Sequence, residues 1–164
     1  MTKAQVMAAE PDQPSEVRET NTETVLQYDS VRLDAQSGRL LYFFTQDRLR
    51  RARYVFNAAH EDLNSIIGDF KAIEPVLTEK YGRPEYSRAL WDSPAYQYES
   101  KSYLDSDRAT PAEIFPSDKF VGMEVALGHL KLYTQWKSGR TRILHALTGE
   151  NSRVTHQIEY IPVE

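Results

Sequence analysis

The amino-acid sequence predicts an α+β fold in which antiparallel strands dominate. Two stretches, residues 24–56 and 130–162, alternate between apolar and polar side chains with a period of two, which is typical of half-buried strands. Between them, residues 61–81 carry apolar side chains at spacings of three and four, which is typical of a helix with one buried face. We therefore predict two antiparallel three-stranded meanders packed with one long, kinked helix and a short N-terminal helix.

The first half is predicted to begin with a short helix over residues 1–10, because Thr2 and Gln5 have the spacing of a capping box. Residues 11–24 are polar, contain two prolines and show no period, so we predict a mobile connector. The first meander then comprises strands over residues 24–33, 39–46 and 49–56. Its middle strand is apolar on both sides, which favours a central position covered on both faces.

The long helix of residues 61–81 is expected to end at Gly82 and Pro84, since glycine supplies a left-handed cap and proline cannot continue a helix. Pro75 lies inside the pattern and removes one backbone hydrogen bond. We therefore expect a kink or a break near residues 71–74.

The second half is predicted to contain a short strand at residues 86–91 and a second meander. The strands of this meander cover residues 130–137, 140–148 and 153–162, with turns at 138–139 and 149–152. Residues 92–119 are the least regular part, with one expected strand at 96–104 and then a long loop. Residues 120–129 fit a short helix and a strand equally well.

Residues 1–164 are predicted to form a single domain, since this length suits one core of ordinary size. Within it, residues 39–45 align with residues 142–148, and each segment is the second strand of a predicted meander. One interpretation is an internal duplication with halves at residues 25–60 and 61–164. The other is that any two central strands look alike, and both interpretations stay open.

Composition and charge exclude several classes of protein. The chain has no cysteine, which excludes disulfides, thiolate zinc sites and a cysteine nucleophile. Its net charge of -4 argues against a nucleic-acid partner, since such binders usually carry a basic field over one face. No apolar run is long enough to span a membrane, and neither a phosphate loop nor a nucleophile elbow occurs. We expect no cofactor, no metal and no catalytic residue, which favours a protein that is not an enzyme.

The N-terminus lacks the apolar core of a signal peptide, which predicts the cytoplasm. The predicted helix begins at the second residue, however, and domains seldom start so abruptly. If Met1 is an internal methionine or a boundary within a longer chain, the expected compartment becomes the periplasm or the cell envelope.

Several short segments carry a resemblance to a known family. They are Thr-Lys-Ala-Gln-Val from residue 2, Leu-Gln-Tyr from residue 26, Leu-Tyr-Phe-Phe from residue 41 and Asp-Arg-Leu from residue 47. In that order the chain resembles the outer-membrane assembly lipoproteins of the BamE (SmpA/OmlA) superfamily, whose repeat is helices followed by a three-stranded antiparallel meander. Lys-Tyr-Gly-Arg-Pro from residue 80 and Thr-Arg-Ile from residue 141 also resemble uncharacterised bacterial envelope proteins with two such repeats. The resemblance implies this fold and an assembly role in the envelope.

Two of the four histidines, His145 and His156, are expected to lie directly opposite each other across the last hairpin. Two imidazoles on one face suit a metal ion if a third ligand is present. The alternative is a pair of half-buried polar residues in a sheet, or a register that differs by one residue. This alternative is favoured, since none of the histidines has metal-ligand spacing in the sequence.

The candidate binding residues are Arg51, Arg53, Arg140, Arg142 and Trp91. Arg51 and Arg53 share one face of a strand, and such a patch suits an acidic partner or an anionic head group. The other interpretation is a solvated face whose arginines pair with neighbouring acids. Arg140 and Arg142 occupy a corresponding place in the second meander. Trp91 suits an interaction surface or the core.

The sequence therefore favours a non-catalytic binding or assembly module that uses a sheet face or the groove between the two halves. A protein partner is expected more than a small molecule, and a homodimer through a sheet edge is a variant of the same hypothesis. The alternative is a small-ligand-binding protein or an enzyme with a site under residues 92–119, since long irregular loops often carry function.

Overall fold

The computed structural model describes residues 1–57, 60–93 and 121–163. These residues form one eight-stranded antiparallel sheet with helices packed on one face. The helices are α1 (Lys3–Ala9), α2 (Ser65–Tyr81) and α3 (Val121–Ala126). The strands are β1 (Glu16–Glu19), β2 (Thr24–Leu33), β3 (Gln36–Thr45), β4 (Arg48–Phe56), β5 (Tyr86–Trp91), β6 (Leu130–Ser138), β7 (Thr141–Glu150) and β8 (Arg153–Pro162). The predicted α+β class with an antiparallel sheet is confirmed.

The strands lie in the order β1-β2-β3-β4-β8-β7-β6-β5. Each strand pairs antiparallel with its neighbour. Strands β1 to β4 form one lateral half of the sheet, and strands β5 to β8 form the other half. The two sides meet where β4 pairs with β8, a contact that we call the seam. The residue pairs of the seam are Ala52–Tyr160, Arg53–Glu159, Tyr54–Ile158 and Val55–Gln157. The seam makes one continuous sheet of both halves.

Tight turns set the register of the hairpins that flank the seam. Gln46 and Asp47 join β3 to β4 with φ of 51° and 59°. Asn151 and Ser152 join β7 to β8 with φ of 51° and 62°. Positive φ at both turn positions gives a twist that matches the strands, and a fixed turn fixes which residues face the core.

The main core lies between α2 and the sheet. The residues that α2 buries there recur at helical spacing, and they are Ile66, Ile67, Phe70, Ile73, Glu74 and Leu77. Ile73 and Leu77 contact the seam strands and also Trp136 of β6, which is fully buried. Because one helix covers both sides of the seam, it stabilises the two halves as one unit.

The helix α1 covers the β1–β4 side of the same face. It buries Val6 against Leu26, Tyr28 and Phe44. The predicted capping box is present, because the side chain of Gln5 accepts from the Thr2 backbone and its own backbone N–H donates to the Thr2 hydroxyl. A helix this short is stable only with such caps and tertiary contacts.

Three expectations about local structure are wrong. The segment expected to be a mobile connector contains β1, whose residues pair with β2. Of the kink and the break expected near residues 71–74, the break does not occur, since α2 runs through Pro75 as one helix, and the kink stays a prediction. The long helix also begins at Ser65 rather than at residue 61. Buried side chains on both sides of Pro75 hold the helix, so packing outweighs the lost backbone bond.

Two open segments have different outcomes. Of the alternatives for residues 120–129, the helix is correct, since α3 occupies Val121–Ala126. The strand expected at residues 96–104 lies outside the described residues. In the part of the chain that the structure describes, no helix has the length and apolar character needed to cross a membrane.

Candidate functional site

One face of the sheet carries no helix among the described residues, and we call it the open face. Alternation along each strand decides which side chains lie on the open face. Arg51 and Arg53 alternate with the buried Ala52 and Tyr54. Arg142 likewise precedes the buried Ile143. The register of strands β3 to β8 places these cations there: Arg39, Arg48, Arg51, Arg53, Arg88, Lys131, Lys137, Arg142 and Arg153. The carboxylates of those strands on this face are Glu159 and Glu150. The open face is therefore strongly cationic.

Contacts across the seam hold the two predicted arginines of β4 in place. Arg53 Nε donates to Glu159 Oε1 at 2.7 Å, and Arg51 Nη1 lies 3.9 Å from the same oxygen. The Arg51 guanidinium also stacks over the Phe43 ring, 4.1 Å from its centroid. One half-buried carboxylate thus serves two arginines, which leaves a net positive charge at the centre of the face. The interpretation in which these arginines pair with neighbouring acids is correct in part.

Other cations of the open face have no such partner. Lys137 lies directly opposite Arg142 in the β6–β7 ladder, and like charges in that position destabilise a sheet. No ion pair joins Arg39, Lys137 or Arg142 to any carboxylate in the described ranges. These charges therefore stay available to a partner.

Apolar side chains lie between the cations of the open face. They are Val25, Leu41, Val55, Tyr133 and Leu144, all partly exposed. A surface that combines aromatic and aliphatic groups with arginines has the composition typical of protein interfaces.

Two of the predicted binding residues do not belong to this face. Arg140 lies in the turn between β6 and β7, where its carbonyl accepts from Val163 at 2.7 Å. Trp91 ends β5 on the helix side of the sheet and packs against the core around α3. Alternation in the sequence could not reveal either position. Arg140 lies in the turn because of the β6–β7 register, and the face on which Trp91 lies depends on how β5 pairs with β6.

The two core histidines form a contact that differs from the expected one. The β7–β8 register pairs His156 with Leu147 and His145 with Ile158, so direct opposition is wrong and the two side chains are diagonal neighbours. Their Nε2 atoms are 2.7 Å apart. Both side chains are buried, at 0% and 1% exposure, rather than half-buried.

Aromatic rings enclose this imidazole pair. The His145 ring stacks on Phe70 with centroids 4.0 Å apart, and His156 stacks on Phe56 at 3.9 Å. Burial lowers the pKa of His156 to about 3, and burial, together with the repulsion that two protonated rings would exert, lowers the pKa of His145 well below 6.5. Both rings are therefore neutral, and one Nε2–H donates to the bare Nε2 of the other. Within residues 1–57, 60–93 and 121–163, no third His, Asp or Glu joins them as a metal ligand.

A groove on the helix-bearing face crosses the seam between α1 and the end of α2. We call it the tyrosine groove. Its volume is about 320 Å³, and its lining residues are Val31, Arg32, Leu33, Leu40, Tyr42, Ala52, Tyr54, Lys80, Tyr81 and Tyr160. The groove between the two halves, expected from the sequence, is the nearest counterpart of this feature. The lining residues themselves were not predicted: alternation places Leu40 and Tyr42 on one face of β3 and Ala52 and Tyr54 on one face of β4, and the register brings these faces together.

The phenol groups of the groove have defined partners. Tyr54 Oη donates to the Val31 carbonyl at 2.7 Å, and Tyr42 Oη donates to the Glu10 carboxylate. The rings of Tyr81 and Tyr160 pack edge to face, with centroids 6.3 Å apart. Burial raises the pKa of Tyr42 and Tyr160 above its ordinary value, so both phenols stay protonated.

A wider cavity of about 1000 Å³ lies beside the β7–β8 turn. Its charged lining residues are Asp92, Lys131, Glu150 and Arg153. Asp92 is the first residue of the segment 92–119 under which the alternative site is expected. Residues 94–120 lie outside the described part of the chain, so that site stays a prediction.

Comparison with known proteins gives no relative. The chain matches no protein-family model, no curated protein and no solved structure. Function must therefore be argued from the chain's own surfaces.

Proposed function

We propose that this protein is a non-catalytic binding or assembly module that holds an acidic protein partner against the open face of its sheet. The observation that carries the proposal is the cationic surface around Arg51, Arg53 and Arg142, which spans the seam. An acidic segment supplies the carboxylates that this surface lacks, so binding removes the repulsion between its cations.

The charge distribution supports this proposal more than the total charge does. The chain has a net charge of -4, yet the open face of β3 to β8 is cationic. The field over one face steers an oppositely charged partner during encounter and orients it. The opposition of Lys137 and Arg142 costs stability in the isolated protein, and local rules of this kind are most often broken at functional sites.

The apolar groups of the open face support a protein as the partner. Leu41, Tyr133 and Leu144 offer contact area between the charges, and Phe43 supports Arg51 from below. Protein interfaces gain most of their affinity from such buried aromatic, aliphatic and arginine groups. A second copy of the chain is less suited to this face, because two cationic surfaces repel each other.

We also propose that the chain arose by internal duplication and that it serves assembly in a bacterial envelope. The strand order supports duplication, since β3 and β7, which hold the aligned residues 39–45 and 142–148, are each one strand away from the seam. The aligned residues also face the same way: Arg39 and Arg142 lie on the open face, and Leu40 and Ile143 on the helix face. The resemblance to BamE-like repeats is the reason for placing the role in the envelope.

The experiment that tests the acidic-partner proposal measures binding of fluorescently labelled poly-L-glutamate by anisotropy. The test variant combines Arg39→Gln, Lys137→Gln and Arg142→Gln, none of which breaks an ion pair with a described residue. Exposed charge pairs contribute up to about 1 kcal/mol each, so we expect affinity to fall by about tenfold or more. Binding of the unaltered protein should weaken as salt is added, because exposed charges are screened.

The matched control variant combines Lys71→Gln, Lys80→Gln and Arg83→Gln, which removes the same charge from α2 and the residues that follow it, on the helix-bearing face. It should bind poly-L-glutamate like the unaltered protein. Equal weakening in both variants would mean that the net charge alone drives binding, and the open face would not be the site. Tighter binding of single-stranded DNA than of poly-L-glutamate at equal charge would identify a nucleic acid as the partner and overturn the proposal.

A further inference from the structure

We propose that the tyrosine groove is a binding site for a small amphipathic anion, a molecule with an apolar chain or ring and one carboxylate or sulfonate group. The groove lies on the opposite face of the sheet from the open face. The two proposals are therefore independent, and either can fail without the other.

The floor and walls of the groove suit an apolar body. Val31, Leu33, Leu40 and Ala52 line it with aliphatic groups, and the rings of four tyrosines complete the walls. Its volume of about 320 Å³ lies at the small end of the range for sites that bind small molecules. A ligand with one short chain or one ring system fits this space.

The walls are fixed before any ligand arrives. Tyr54 is held by a hydrogen bond to the Val31 carbonyl and Tyr42 by one to Glu10, whereas the rings of Tyr81 and Tyr160 pack against each other. Two core clusters support the groove from both ends, because Val31 and Leu40 pack against each of them. A preformed site binds more tightly, since less conformational freedom is lost on binding.

The charges of the groove select an anion. Arg32 and Lys80 are its charged lining residues, and no carboxylate lines it. The Lys80 ammonium lies 5.3 Å from the Tyr81 ring centroid, at the edge of the apolar space. An anionic head placed beside these two cations keeps its apolar body in the groove.

A neighbouring cavity limits the ligand to a single anionic head. This cavity has a volume of about 430 Å³ and shares Val31 and Arg32 with the groove. Glu10, Asp12 and Asp29 line it, so a second anionic group is repelled there. The head therefore lies in the groove, beside Arg32 and Lys80, rather than in this cavity.

The test is isothermal titration calorimetry of the full chain with sodium decanoate below its micellar concentration. We expect saturable binding of one decanoate per chain and no binding of decyltrimethylammonium, which has the same chain and the opposite charge. Lys80→Gln and Arg32→Gln should each weaken decanoate binding by about tenfold, because each removes a charge-assisted contact. Both side chains are exposed, so the variants should fold normally.

A second variant and a control complete the experiment. Ala52→Phe fills the groove without changing its charge and should abolish decanoate binding, whereas Arg153→Gln, at the far turn, should not change it. The proposal is overturned if decyltrimethylammonium binds as well as decanoate, or if Ala52→Phe folds and still binds decanoate. It is also overturned if decanoate does not bind and the protein instead binds vesicles of anionic phospholipid, because the ligand would then be a membrane surface.

Discussion

At the scale of single residues, the buried imidazole pair couples stability to pH. In the folded protein the pKa values of His145 and His156 lie below the ordinary value of 6.5, because burial penalises the charged ring. The unfolded chain therefore binds more protons than the folded one once the pH falls below about 6.5. The free energy of unfolding decreases from there down to the folded pKa, which is about 3 for His156. Above about pH 6.5 the pair has no effect on this slope.

We predict that the free energy of unfolding falls by about 4 kcal/mol between pH 7 and pH 5, since each ring contributes about 1.4 kcal/mol per pH unit. Urea unfolding at a series of pH values measures this. The double variant His145→Leu with His156→Leu should lose most of the pH dependence over that interval.

A matched control for the imidazole pair is His60→Asn, since His60 lies outside the core. It should keep most of the pH dependence of the unaltered protein. An unchanged slope in the double leucine variant would contradict the prediction, because other groups would then have to bind the protons.

At the scale of elements, close backbone contacts fix α3. A Cβ atom on Gly149 of β7 would lie 1.9 Å from the Val125 carbonyl oxygen, and one on Gly122 would lie 2.3 Å from the Leu63 carbonyl oxygen. Real side chains do not tolerate such distances. The six-residue α3 thus packs directly on neighbouring backbone, which compensates for its low intrinsic stability.

We predict that Gly149→Ala lowers the free energy of unfolding by about 3 kcal/mol, because the backbone of α3 must move away. Gly68→Ala is the matched control: it lies in α2 with no atom within 4 Å of the added methyl group. There alanine should stabilise the protein by up to about 1 kcal/mol, since it is the better helix former. Chemical unfolding of both variants measures the difference. Equal effects would show that the α3 contact is not tight.

The sequence predicts elements well where burial imposes a period. The strands on both sides of the seam alternate because one face packs on helices, and α2 has an apolar stripe for the same reason. The strand β1 is missed because all four of its side chains are exposed, so no apolar period marks it. Pro75 misleads because the expected break reflects local chemistry, whereas the helix is held by its buried face.

The candidate site is predictable only in part for a related reason. Alternation correctly places Arg51, Arg53 and Arg142 on strand faces, but it does not show that these faces coincide. The faces of β4 and β7 belong to one surface only because of the seam, which pairs Arg53 with Glu159, 106 positions away. The tyrosine groove depends on the seam too, since Ala52 and Tyr160 are paired there. Pairing at such separation leaves no local signal in the sequence.

At the scale of the whole molecule, the seam and α2 should make the protein unfold as one unit. Ile158 is fully buried at the seam, where it pairs with Tyr54 on one side and His145 on the other. We predict that Ile158→Ala lowers the free energy of unfolding by about 3 kcal/mol. Native-state hydrogen exchange should then speed up by the same factor in β3 and in β7, because both open only with the whole sheet.

The control for this prediction is Val17→Ala in the edge strand β1, where the side chain is 48% exposed. It should change stability by less than about 0.5 kcal/mol. Faster exchange in only one half of Ile158→Ala would show that the two halves unfold separately.

The seam also determines the order in which the chain can fold. Closing it joins strands about a hundred residues apart along the chain, and such distant contacts slow folding because the intervening chain must be ordered first. During synthesis β4 leaves the ribosome long before β8 exists, and until then its outer edge is an unpaired template for other strands. Among the described strands, β8 is synthesised last, and it completes the middle of the sheet. The nascent protein therefore needs protection from aggregation at the position that is most buried in the finished fold.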